Sequence, residues 1–307
     1  MTHELARWEI VARERARGPR SIASRNCVAT LFVLVALGCG RPAEVAGTQA
    51  APRVVSLAPS LTAIVRAVGG DAHLVGVTAY CDAPGVAVVG DFSPRPEAVL
   101  AQRPDIVLMA GYETQAATAS ALTGLGLVVK TLPLVTLADM HATTRAVAAL
   151  LGREAAGEAV LAAFDEALAK ARPSDAQVVK VLLVYDVQPG FVITTGGGDH
   201  LSELVLALAG KNLIDGPVTA RIGLERVLEG APDLILHVAP DVHFPDSASA
   251  MKHWATWPEL PAVKRGQVVV YPDDGFARNG PHLATVVPRL GAIIAHARAV
   301  MGSSGPP

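Results

Sequence analysis

Along the body of the chain the apolar positions come in short unbroken runs and do not alternate with polar ones. RVVSL (53–57), LVGV (74–77), VAVVG (86–90), DIVLMA (105–110), LVVKTL (127–132), VVKVLLVY (178–185), FVITT (191–195), DLILHV (233–238) and QVVVY (267–271) each read as a buried strand. A strand covered on both faces shows no polar side, so such runs suit a parallel sheet. Helical patterns lie between them, at 61–68, 113–124, 199–209, 224–230 and 281–300. Ser60, after Pro59, is placed to cap the first. This alternation predicts an α/β architecture.

The alternation stops between residues 136 and 172. TLADMHATTRAVAALLGREAAGEAVLAAFDEALAKAR is rich in strong helix formers and holds no strand signal. Pro173 ends it, and Gly152 marks a break between two helices. The expected layout is an N-terminal α/β lobe at 53–135, a rigid connecting helical segment at 136–173 and a C-terminal α/β lobe at 174–303.

The N-terminus follows another pattern. Arg13, Arg15, Arg17, Arg20 and Arg25 precede the apolar run VATLFVLVALG at 28–38. Eleven residues are too few for a spanning helix, which needs about 20. A basic segment, a short apolar run and a small residue make a secretory signal, here 1–38. The run closes on Ala36-Leu37-Gly38-Cys39, which resembles a bacterial lipobox. That resemblance implies cleavage before Cys39 and a diacylglyceryl anchor on its sulfur; an ordinary cleaved signal is the alternative. Residues 39–52 then form a lipid-anchored tether of small, polar, Pro- and Gly-containing sequence.

Composition narrows the function. The 307 residues are 51% apolar and 18% charged, which excludes a disordered chain. A net charge of −2 supplies no basic stripe for nucleic acid. Cys27, Cys39 and Cys81 offer no disulfide framework once Cys39 is acylated. GxSxG is absent, so no nucleophile elbow points to an enzyme. The histidines form no HExxH cluster. His237 and His243 are the best pair for a zinc site, which would need further convergent ligands. TTGGGDH (194–200) could hold phosphate on backbone N–H groups, but it lacks a Walker lysine and GxGxxG spacing. A tight turn is its plain reading, with a backbone contact to ligand near Gly197.

An internal repeat supports two halves. EAVLAQRPDIVL (97–108) and ERVLEGAPDLIL (225–236) align without a gap at an offset of 128 residues, with six of twelve positions identical. Each reads as a short helix, a Pro-Asp turn and a buried strand.

With these motifs in place, residues 53–300 resemble the substrate-binding proteins of ABC importers whose two lobes are joined by one rigid helix. RVVSLAPSLTAIVRAVGG, LVGVTAYCDAP and VGDFSPRPEAVLAQRPDIVL look most like the cobalamin-binding branch. The resemblance implies two Rossmann-like α/β lobes joined by a long rigid connecting helix, with ligand held in the cleft between them. It implies a monomer that carries cobalamin or another corrinoid as cargo, with no resident cofactor. Its partners would be an ABC permease with its ATPase subunits. It implies an extracytoplasmic location.

In open α/β sheets, ligands lie beyond the C-terminal strand ends. The candidates there are Tyr80, Asp82, Phe92 and Tyr112 in the first lobe. In the second they are Asp186 and Phe191, which bracket a turn, and Asp274, Phe276 and Arg278. By residue match to the cobalamin branch, Tyr80, Phe92, Phe191 and the Asp274–Arg278 pair face the ligand. Rings can cover the apolar corrin edge while Asp and Arg meet its amides. Trp254 and Trp257, in HWATWPELPAVKRG, look like packing residues, whereas relatives carry several tryptophans in the cleft. Glu97 and Glu225 match the family's paired carboxylates that dock on permease arginines. A haem or iron-siderophore receptor on the same fold is the nearest alternative, and haem would favour an axial Tyr or His. An alternative of another class is a lipid-anchored enzyme or sensor using the cleft.

Overall fold

The computed structural model describes residues 51–91, 93–111, 115–174, 177–216 and 220–303. The expected signal, the expected tether with Cys39, and the candidates Phe92 and Tyr112 lie outside the described residues.

The first lobe is built on one parallel sheet. β1 (Val54–Ser56), β2 (Leu74–Thr78), β3 (Val88–Gly90), β4 (Ile106–Ala110) and β5 (Val129–Leu132) stand in the order β3-β2-β1-β4-β5. Neighbouring residues on a strand enter opposite cores. Val54 and Leu108 pack with α1 (Pro59–Ala67), while Val55 and Val107 pack on the other face with Val99 and Leu122. Both faces are therefore covered, which is why these runs carry no polar alternation. Helix α1 begins at Pro59, one residue before the expected cap, and Ser60 does not cap it. A proline at the first helical position has a preset φ and lacks an N–H that would have no partner there.

The second lobe repeats the plan with β6 (Val179–Val184), β9 (Gly210–Asn212), β11 (Leu234–His237) and β12 (Val268–Val270), ordered β12-β11-β6-β9 and all parallel. FVITT differs from expectation. It forms β8 (Phe191–Thr194) in a separate antiparallel sheet, between β7 (Asp186–Gln188) and β10 (Ala220–Gly223). Pro189 and Gly190, the latter at φ +84°, reverse the chain within two residues and leave no room for a crossover.

The repeat is geometric as well as sequential. Helices α2 (Pro96–Ala101) and α7 (Leu224–Gly230) lead into β4 and β11. The turns pass through Arg103 and Ala231, 128 residues apart and both at φ +46°. In each lobe the aspartate after the turn grips the central strand. Asp105 Oδ2 accepts from Arg53 N at 2.7 Å, and Asp233 Oδ2 accepts from Lys180 N at 3.1 Å. In return the Arg53 and Lys180 side chains donate to the carbonyls of Gln102 and Gly230 at the ends of the two helices.

The connecting segment is a pair of helices. Between α2 and the pair lies α3 (Ala116–Gly124). α4 (Leu137–Leu150) starts in a capping box: Thr136 accepts from Asp139 N, and the Asp139 carboxylate accepts from Thr136 N. Gly152, at φ +63°, turns the chain into α5 (Glu154–Ala171). α4 spans both lobes, with Met140 in the second-lobe core and Val147, Ala148 and Leu151 in the first. After α6 (His200–Ala207), α8 (Ser247–Trp254) and α9 (Pro261–Lys264) comes α10 (Leu283–Ser303). By length and composition alone α10 could cross a membrane, yet its Val287, Leu290 and Ile294 are fully buried in the second-lobe core.

Candidate functional site

The C-terminal ends of the strands of both lobes open onto one cleft of about 450 Å³. The first lobe supplies the turn after β1, Thr78 at the end of β2 with Tyr80 after it, Asp91 after β3 and Gln115 after β4. The second supplies Tyr185 after β6, Asp199 and His200 at the start of α6, and Ala277–Asn279 after β12. Leu134 and Val135, between β5 and α4, form part of the wall. Ligand sites of this kind combine an apolar body with a few polar groups that fix orientation.

Tyr80 lines this cleft and is half exposed to solvent. Its loop is held from both sides. Arg66, on α1, donates to Asp71 at 2.9 Å and to Asp82 at 2.7 Å. Cys81 Sγ lies 3.1 Å from the Thr78 hydroxyl. Asp82 therefore serves its own loop and sits in a neighbouring hollow of about 570 Å³ that shares Pro59 and Arg278 with the cleft. Arg278 lines both, and its Nη2 donates to Asp274 at 2.8 Å. That pair sits at the rim, with Asp274 largely exposed.

Other expected residues go elsewhere. Phe276 is a correction: it is fully buried, with its ring centroid 5.4 Å from that of Tyr271 in the second-lobe core. A side chain spent on packing there cannot also face ligand. Phe191 lies at the β7–β8 hairpin, with the Arg221 guanidinium 3.5 Å above its ring, and does not line the cleft. Asp186 is folded onto the same hairpin, accepting from Val187 N and from Gln188 Nε2. Gly197 sits in the turn before α6 but outside the lining. At that helix start the Asp199 carboxylate accepts from Ser202 N, so the place a phosphate would take is filled by the chain itself. His237 is not poised for metal with His243, because its Nε2 accepts from the Trp254 indole at 3.0 Å. Glu97 and Glu225 are both exposed, each at the second position of its repeat helix.

Sequence reasoning missed Gln115, Tyr185, His200 and Asn279. Tyr185 ends a recognised strand and was within reach of the strand-end rule. Asn279 carries no local signal, because its partners are some 140 residues away: its Nδ2 donates to Leu134 O at 3.1 Å and Thr136 O at 2.8 Å. His200 is 7% exposed; burial pushes its imidazole below the ordinary range, and the Asp199 charge pulls it back less strongly. Four polar atoms of the lining are buried without a protein partner: Gln115 Oε1, His200 Nε2, Arg278 Nε and Asn279 Oδ1. Each such atom costs about 1–3 kcal/mol if left unmet. Grouped around one opening, they form a set of donors and acceptors that a bound solute can meet.

Residues 54–274 match the model of a family described as periplasmic binding protein. The chain belongs to the periplasmic binding protein family. One curated relative is the vitamin B12-binding protein of Pectobacterium carotovorum subsp. carotovorum (strain PC1), 26% identical over 243 residues, covering 75% of this chain and 84% of the relative. Among solved structures, the periplasmic vitamin B12 binding protein BtuF of Vibrio cholerae superposes with a TM-score of 0.67 at 22% identity, covering 80% of this chain and 97% of that one. A periplasmic haem-binding protein from Pseudomonas aeruginosa gives 0.65 at 24% identity, covering 79% and 92%. These structures share the two-lobe fold. Members of the periplasmic binding protein family bind a solute for delivery to an ABC permease and are not enzymes; what they hold is cargo, not cofactor. The family works outside the cytoplasm.

Proposed function

We propose that this protein captures cobalamin or a related corrinoid in the inter-lobe cleft and delivers it to an ABC permease. Its anchor would be the acylated Cys39, and Glu97 and Glu225 would engage one permease subunit each. The observation that carries the ligand reading is the mixture of unmet groups in the lining. Gln115 Oε1 and Asn279 Oδ1 need donors, whereas Arg278 Nε needs an acceptor. A carboxamide supplies both, and a corrin ring is fringed with carboxamides. Haem presents two propionates, which need donors only. Arg278 is the one Arg or Lys among the described lining residues, and it is already paired with Asp274. The vitamin B12-binding relative agrees with this choice.

A second reading rests on His200. A buried neutral imidazole with an unpartnered Nε2 in the lining is a suitable axial donor to haem iron. Calorimetric titration of the purified protein with cyanocobalamin and, separately, with haemin decides between them. The corrinoid reading expects micromolar or tighter cobalamin binding that weakens in Tyr80→Ala. Binding of haemin alone, with a Soret band that changes in His200→Ala, would replace it with the haem reading.

A further inference from the structure

Asn279 does two things at opposite ends of one side chain. It is 4% exposed and sits where the cleft wall meets the crossover between the lobes. Its Nδ2 donates to the carbonyls of both Leu134 and Thr136. Only an NH2 group can meet two carbonyl oxygens, so the orientation of the amide is fixed by its partners. Oδ1 is then the free end, buried and without a partner, in a residue that lines the cleft. The carbonyl between the two, Val135 O, accepts from His200 N at 2.9 Å. Two residues further, Leu137 N donates to Glu203 Oε2 at 2.7 Å. The second lobe therefore holds the whole crossover 134–137. Asn279, like His200, both takes part in that grip and lines the cleft, but Asn279 alone of the two grips through the same side chain that carries the unpartnered atom.

We propose that Asn279 is a specificity and positioning residue: its Oδ1 accepts a hydrogen bond from a carboxamide N–H of the ligand, and occupancy tightens its hold on the lobe crossover. This rests on the corrinoid reading above. A donor at Oδ1 polarises the amide and strengthens its N–H donation at the other end. Binding at the wall is thereby felt at the backbone linking the lobes. An ester or acid at the same place on the ligand offers no N–H and leaves Oδ1 buried and unmet, which lowers affinity at least about fivefold.

The test pairs protein variants with altered ligands. Cyanocobalamin and its separate monocarboxylates, each with one carboxamide hydrolysed, are titrated into the wild-type protein and Asn279→Leu. Hydrogen exchange over 133–140 is followed with and without cyanocobalamin. In the wild type, one monocarboxylate binds at least about fivefold more weakly than cyanocobalamin, and cyanocobalamin slows exchange over 133–140. In Asn279→Leu that discrimination and that protection are both lost. Asn279→Ser keeps a donor for the crossover but is too short to reach the ligand. It should fold even where the leucine variant does not, and it should also lose the discrimination. If the variants bind every ligand more weakly by the same factor, Asn279 is purely structural and the proposal is overturned, while the corrinoid reading stands. If the wild type binds no corrinoid at all, that reading falls first and this one with it.

Discussion

His237 shows how one buried residue ties acidity to stability. It is 1% exposed, and burial lowers its pKa from 6.5 to about 4. Its Nε2 must stay unprotonated to accept from Trp254, and its ring packs 4.8 Å from Phe244. Between pH 6.5 and 4 the unfolded chain binds a proton at this position and the folded protein does not. Stability is therefore full above about pH 6.5 and falls as pH drops toward 4, by about 3 kcal/mol from this group. Burial displaces His200, His253 and His282 in the same direction, and they steepen the same slope. Urea denaturation of wild type and His237→Phe at pH 7 and pH 4.5 isolates the His237 share. The stability gap between the two proteins should shift in favour of the variant at the lower pH. A gap that does not change with pH would mean His237 does not titrate with folding. The sequence marked His237 only as a candidate zinc ligand with His243; its role in the core stayed hidden, because its partner Trp254 reaches it only through the packing of α8 on the sheet.

At the scale of elements, the two repeats do the same job in different surroundings. Asp105 and Asp233 both accept from the backbone N–H of the neighbouring central strand. Asp105 is exposed, whereas Asp233 is 7% exposed and also accepts from Arg265 at 3.1 Å. Water can replace the lost partner at the first position but not at the second. Asp233→Ala should therefore cost about 2–3 kcal/mol, and Asp105→Ala clearly less, as read from chemical denaturation midpoints. Equal losses would show that the turn, and not the buried hydrogen bond, sets the cost. The sequence made this repeat legible because strand, turn and helix each leave a mark on local composition. It made the parallel strands legible because covering both faces demands unbroken apolar runs. It hid β7, β9 and β10, where Asp186–Gln188, Gly210–Asn212 and Ala220–Gly223 are short, partly polar and held by neighbours distant in sequence. Phe276 misled for a related reason: position after a strand says that a ring is near the cleft end, but not whether it turns to solvent or to the core.

At the scale of the whole molecule, the proposed docking carboxylates stand apart from the cleft. The cleft collects its polar groups at the C-terminal ends of the strands. Glu97 and Glu225 belong to helices that lead into the N-terminal ends of β4 and β11, so neither lies in the lining. Each carboxylate stands in the first turn of its helix, where the helix dipole favours negative charge. Because the two lobes repeat one plan, the two carboxylates occupy equivalent places on them. A two-fold permease can meet such a pair with the same basic patch on each subunit. Charge pairs at the rim of an interface govern encounter and register more than affinity. Glu97→Ala with Glu225→Ala should then leave ligand affinity and melting temperature unchanged while uptake into cells falls, with each single variant losing part of it. Adding salt to reconstituted transporter should weaken docking of the wild type more than that of the double variant, since screening acts only on charges still present. If the double variant instead loses ligand affinity in the purified state, the two helices act on the cleft and the division between capture and delivery is wrong.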